Sequence, residues 1–115
     1  MTKLAYLVSR MEGFGIPGSR PARDHNPGDL RAAPHATAKD AAGIALEPND
    51  ADGWADLERQ LRLDASRGMT LETFVYSYAP PAENDSQRYL NFLAQGLGLH
   101  PATPLSQCLQ EIEPC

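Results

Sequence analysis

The chain has 115 residues, a formal net charge of −5 and a sequence pI of about 5.0. That length suits one domain able to bury about two-thirds of its unfolded surface, with no need of a metal or disulfide framework. A 42% hydrophobic content excludes wholesale disorder, and the absence of a Lys/Arg cluster argues against duplex nucleic acid as a partner.

The first predicted element is an amphipathic helix ending near Glu12. Thr2 is a suitable N-cap, and Leu4, Leu7, Val8 and Met11 follow the i, i+3, i+4, i+7 rule of one buried stripe. Glu12 projects roughly 90° from the centre of that stripe. It is neither central core nor fully solvated, which is where burial raises a carboxyl pKa toward the range a general acid needs. A boundary glutamate that merely ends a helix has the same position.

Residues 13–48 read as irregular and rich in Gly and Pro, with a turn signal at Pro27-Gly28. Long ordered loops are often functional, so this stretch is expected to form a cleft. Short strands are expected near Leu30-Arg31 and Gly43–Leu46.

Residues 49–112 read as a core of four helices. The first, from about Asp50 to Arg67, carries Trp54, Leu57, Leu61 and Ala65 on one face, with Glu58 and Arg62 as an i, i+4 pair and Gly68 as the stop. Leu63 lies on its opposite side. Thr70 caps the second, with Leu71, Phe74, Val75 and Tyr78 on its stripe and Pro80-Pro81 ending it. Asn84 as N-cap and Gln87 at the capping-box position open the third, which carries Tyr89, Phe92, Leu93 and Leu97 before Gly98. Thr103 and Pro104 open the last, with Leu105, Cys108, Leu109 and Ile112 on one face. The expected class is mainly α: about five helices, a long loop region and at most a small β element.

No signal peptide is evident, because Ser9, Arg10 and Glu12 interrupt the first apolar run. No segment approaches the ~20 apolar residues of a membrane span. The expectation is synthesis in the cytoplasm, no membrane insertion, and action after release, injection or secretion. Cys108 and Cys115 do not form a zinc pattern, and whether they pair is open.

The chemistry-bearing residues narrow by elimination. His25, His35 and His100 are scattered, and H-E-x-x-H, CxxC, G-x-S-x-G and the P-loop pattern are missing. His25 with Asp24 and Asp29 could hold a cation, but a polar turn explains them better, since no ligand spacing recurs. No metal and no cofactor are expected. Carboxylates remain: Glu12, Asp24, Asp29, Asp40, Glu47 and Glu83. Glycoside cleavage needs one protonated carboxylic acid on the leaving oxygen, and a second carboxylate or the substrate's own acetamido group for the oxocarbenium ion. Asn26, Tyr76, Tyr78 and Asn84 are the candidates for holding sugar rings. Tyr78 falls on an apolar stripe, and Tyr76 is the freer of the two.

Met11-Glu12-Gly13-Phe14 resembles the catalytic-glutamate segment of phage-type lysozymes, in which Glu-Gly closes the first helix. The order His25-Asn26-Pro27-Gly28-Asp29-Leu30, Gly43-Ile44-Ala45-Leu46, Asp52-Gly53-Trp54, Tyr78-Ala79-Pro80-Pro81-Ala82-Glu83-Asn84-Asp85 and Tyr89-Leu90 resembles small lysozyme-like proteins of phages and prophages, grouped with lytic transglycosylases. The resemblance spans about residues 4–106. It implies a lysozyme-like α+β fold and a peptidoglycan-cleaving glycosidase acting between N-acetylmuramic acid and N-acetylglucosamine. Glu12 would be its catalytic acid, and Asn26, Asp29, Tyr76, Tyr78, Glu83 and Asn84 are the expected substrate contacts. The partner would be peptidoglycan glycan strands and the enzyme a monomer.

Two departures from that pattern matter. The lysozyme aspartate position falls at Pro21, with Asp24 offset by three, which favours a one-glutamate transglycosylase over a two-carboxylate lysozyme. His25 stands where a second asparagine is usual. The alternatives are a non-catalytic virion or wall-binding protein on the same scaffold, and an effector delivered between cells with the same chemistry.

Overall fold

A computed structural model describes residues 1–112. Its elements in chain order are α1 (Lys3–Glu12), α2 (Arg20–Arg23), β1 (Ala38–Lys39), β2 (Ala45–Leu46), α3 (Asp50–Ser66), α4 (Leu71–Tyr78), α5 (Ser86–Leu97) and a 3-10 turn at Leu105–Cys108. The fold is mainly α with a small β element, as the periodicity predicts.

The apolar stripes converge on one core. Leu4 and Val8 of α1, Leu57 and Leu61 of α3, Leu71, Phe74 and Val75 of α4, and Leu90 and Leu93 of α5 are all fully buried in it. Side chains of this size each contribute roughly 1.5–3 kcal/mol on burial, so the four stripes account for why these helices meet. Glu58 has a second role beyond its 3.4 Å pairing with Arg62. Its Oε1 accepts from the backbone N–H (2.9 Å) and the hydroxyl (2.8 Å) of Thr2, tying the start of α1 to α3.

Local signals fix the helix ends. The Thr2, Asn49 and Thr70 side chains cap α1, α3 and α4. Helix α1 stops in a Schellman motif: the Gly13 N–H bonds Arg10 O at 3.2 Å and the Phe14 N–H bonds Ser9 O at 3.0 Å. Gly13 has φ +87, a left-handed conformation that disfavours any side chain. Glu12 is thus held as the last helical residue, one step before the chain reverses.

Several expectations are corrected. The stretch after Glu12 contains a short helix, α2, capped by Ser19 with Pro21 in its first turn. Leu30-Arg31 is not a strand; β2 pairs antiparallel with β1, in register Ala38↔Leu46 and Lys39↔Ala45. Leu30 O still accepts the Ala45 N–H at 2.9 Å. Asp85, not Asn84, caps α5 by accepting the Arg88 N–H at 3.0 Å, and Gln87 forms no capping box. Phe92 is 38% exposed rather than part of the core. The expected last helix shrinks to one 3-10 turn without a side-chain cap at Thr103. Pro101 O and Thr103 O are drawn instead into bonds with the N–H groups of Glu72 and Leu71. Cys108 is buried, while Ile112 is exposed in a segment that pairs with the N-terminus. Cys115, and so its possible pairing, lies outside the described residues.

Candidate active site

A groove of about 430 Å³ opens at the end of α1, between α4, the connection after it, and the loop after α2. Glu12, Asp29, Tyr78, Glu83 and Asn84 line it, so five of the seven sequence-derived site residues come together. Arg20 and Arg31, which sequence reasoning did not single out, line it as well.

Glu12 is half-buried, and the Tyr89 hydroxyl donates to its Oε2 at 2.8 Å. Burial pushes its pKa up from 4.5 to about 7. The Tyr89 hydrogen bond opposes the rise, the Asp29 charge adds to it, and the Arg20 charge reduces it. The outcome is a carboxyl group that keeps its proton in a large fraction of molecules at neutral pH. Tyr89 is a core residue, as its place on the α5 stripe predicts, and is 3% exposed. Its ring fills the core while its hydroxyl reaches Glu12, a pairing across 77 residues that leaves no mark in local sequence.

Asp29 is paired with Arg20. Arg20 Nε donates to its Oδ1 at 3.0 Å and Arg20 Nη2 to its Oδ2, a two-pronged contact. The Ser19-Arg20-Pro21 start of α2 aims the arginine, and Ser19 before Pro21 is the sequence signal that could have revealed that helix. Asp29 has φ +51 and His25 φ +53, so both flanks of Asn26-Pro27-Gly28 are left-handed. Asp and His are among the residues that tolerate this conformation best.

Asn26 is not a substrate contact. It is fully buried, with Nδ2 donating to Leu30 O (2.9 Å) and Ala45 O (3.0 Å) and Oδ1 accepting the Leu30 N–H (3.0 Å). It is the buried pin of the groove-wall loop, because its amide satisfies backbone groups that no sheet reaches. Tyr76 is also outside the groove; its hydroxyl donates to Gln87 at 3.2 Å on an exposed face. Its position off the apolar stripe signals exposure, not placement.

Tyr78 lines the groove, and its hydroxyl donates to Gly28 O, closing α4 onto the turn. Glu83 and Asn84 are exposed on the opposite lip. The turn is seated on α3 by Gly53, where a Cβ would fall 2.0 Å from His25 O. That contact explains why glycine precedes Trp54, whose ring packs edge-on against Phe14 at 5.4 Å.

His25 points away from the groove, its Nδ1 2.7 Å from Asp50 Oδ1. With Asp29 held by Arg20, the cation reading of Asp24, His25 and Asp29 loses its ligand set. Among the described residues no group of three or more His, Cys, Asp and Glu could hold a metal ion.

No family model, curated protein or solved structure matches this chain. The groove itself offers one carboxylic acid poised near neutrality, a second carboxylate locked to an arginine, and polar groups along its lining.

Two further acidic pairs lie behind the groove wall. Asp24 and Glu47 are buried, and Asp24 Oδ2 and both Glu47 oxygens find no N–H or hydroxyl donor. Each instead faces a second carboxylate: Asp24 faces Asp40, and Glu47 faces Asp56. Burial pushes Asp24 and Glu47 up. Asp40 is held down by the Ile44 and Ala42 N–H groups, and Asp56, despite its burial, by Glu47 and His35.

No helix among the described residues is long and apolar enough to cross a membrane.

Proposed function

We propose that this protein is a peptidoglycan-cleaving glycosidase that cuts the N-acetylmuramic acid–N-acetylglucosamine bond with Glu12 as its catalytic residue. The observation that carries the reading is Glu12 itself: a half-buried carboxyl at a groove, with its pKa raised to about 7 and one oxygen fixed by Tyr89. A general acid works best when its pKa lies near the operating pH. The resemblance of Met11-Glu12-Gly13-Phe14 and the motifs after it to phage lysozyme-like proteins supplies the substrate class.

The one-glutamate route fits the groove better than the two-carboxylate route. Asp24 is buried behind the wall and Asp29 is committed to Arg20. Protonated Glu12 gives its proton to the glycosidic oxygen as the C–O bond breaks. The substrate's acetamido oxygen stabilises the cation left at C1. Glu12, now a carboxylate, takes the proton of the muramyl 6-hydroxyl as that oxygen bonds C1. Glu12 is regenerated and the product is a 1,6-anhydro sugar, with no water consumed. In the hydrolytic variant, water takes the place of the 6-hydroxyl.

Asp29, Tyr78, Glu83 and Asn84 would contact the sugar chain from the two lips. Action on the wall follows release, injection or secretion under this reading, and the chain works as a monomer without a cofactor. Mass spectrometry of digested, purified peptidoglycan tests it. The expected products are muropeptides one water lighter than hydrolysis products. Fully hydrated products would shift the mechanism to hydrolysis. Intact strands that nevertheless bind the protein would favour the non-catalytic wall-binding alternative.

A further inference from the structure

A second depression, of about 470 Å³, lies beside the groove between the end of α1 and the start of α5. Asn84 lines both, so the two adjoin at that residue. Tyr89, whose hydroxyl holds Glu12, also lines the second depression.

Its chemistry differs from that of the groove. Arg10 from α1 and Arg88 from α5 line it, both exposed, and among the described residues neither forms an ion pair. Its apolar surface comes from Met11 and from Phe92, which is 38% exposed. The one carboxylate lining it is Asp85, and that group already accepts the Arg88 backbone N–H at 3.0 Å. A chain of net charge −5 therefore presents a locally cationic hollow with an apolar side, next to its candidate acid. Guanidinium groups recognise carboxylates through paired N–H donors, and an aromatic face beside them suits a short aliphatic side chain.

We infer that this depression binds a carboxylate-bearing peptide branch of the glycan strand held in the groove. The inference rests on the glycan reading of the groove for the identity of the strand. The anion preference follows from Arg10 and Arg88 alone. Peptide stems attach to the muramyl lactyl group and carry free carboxylates, so a strand seated at Glu12 would direct one sideways toward Asn84 and the two arginines. Recognition of this kind would make stem-bearing strands better substrates than bare ones.

The test uses the full chain and an Arg10→Gln/Arg88→Gln double variant, whose exposed substitutions leave the core untouched. Binding of N-acetylmuramyl-L-alanyl-D-glutamate and of its diamide is followed by NMR shifts. The expected result is about tenfold weaker binding of the diamide by the parent, and an equal loss for the acid in the double variant. The difference should shrink at high salt. Equal affinities for acid and diamide, no binding of either, or an unaffected double variant would overturn the inference. Glu12-dependent cleavage of strands, measured in parallel, separates the two readings. Cleavage without arginine-dependent binding sinks this inference alone, and arginine-dependent binding without cleavage sinks the catalytic reading alone.

Discussion

The Tyr89 hydroxyl donates to Glu12 Oε2 at 2.8 Å from a ring that is itself part of the core. The Glu12 rotamer is thereby set by core packing rather than by the loop that follows it. The bond favours the charged form of Glu12 and so restrains a pKa that burial drives up.

Tyr89→Phe removes that restraint while keeping the ring. The pKa of Glu12 should move above about 7, because a hydrogen bond to the carboxylate form is lost. The alkaline limb of the kcat/KM profile, where Glu12 loses its proton, should shift to higher pH. The plateau should fall severalfold as the side chain gains rotamers. An unchanged pH profile would show that Tyr89 does not tune Glu12.

Asn26→Ala strands the Leu30 N–H and the Ala45 carbonyl in a buried site, while Leu30 O keeps its bond from the Ala45 N–H. Each orphaned group costs about 1–3 kcal/mol, moderated by water entering the gap. A loss of about 2–4 kcal/mol is expected in denaturant unfolding. Hydrogen exchange should locate the loosening at residues 26–30 and 45. A neutral outcome would remove Asn26 as the pin of the groove-wall loop.

The carboxyl pairs behind the wall predict the pH dependence of stability. Asp24 and Glu47 have folded pKa values above their unfolded ones, so the folded state binds more protons than the unfolded state between those values. Their contribution is fully present at low pH and is lost as pH rises from the ordinary carboxylate range through neutrality. His35, raised chiefly by its hydrogen bond to Asp56, acts in the same direction at higher pH. Asp40 and Asp56 are lowered, so their contribution is lost as pH falls through the carboxylate range.

The groups facing Asp24 are Asp40, Arg23 and Asp29; those facing Glu47 are Asp56, His35 and Asp52. Stability should therefore peak in mildly acidic solution. An Asp24→Asn/Glu47→Gln variant should flatten the fall toward alkaline pH. Melting curves from pH 4 to pH 9 check this, and a parent that is most stable at alkaline pH would contradict it.

Gly53→Ala puts a methyl group 2.0 Å from the His25 carbonyl. Backbone must move, so a loss of about 1–3 kcal/mol is expected. The turn carrying Asp29 should be displaced with it. A melting temperature equal to the parent's would remove Gly53 as the seat of the turn.

The helices were legible because each carries its own period and its own caps. The Leu4/Leu7/Val8/Met11 stripe even located Glu12 at the rim of the core. What the sequence hid depends on long-range pairing. Asn26 has a side chain suited to sugars, and its burial is decided by the Leu30 and Ala45 backbone. Arg20 reaches Asp29 because Asp29 turns left-handed, a choice made by the whole turn. Asn84 and Asp85 are both good caps, and one residue of register decides between them. Phe92 fits the stripe of α5 yet has no element opposite it, so periodicity alone placed it in the core.

Glu12→Gln is the most direct test of the central claim. Glutamine is nearly isosteric and can still accept the Tyr89 hydrogen bond, so the fold and strand binding should survive. Release of muropeptides from purified peptidoglycan, followed by mass spectrometry, should fall by about two to four orders of magnitude, the span of general acid catalysis. A folded Glu12→Gln protein that releases muropeptides at the parent rate would contradict the account.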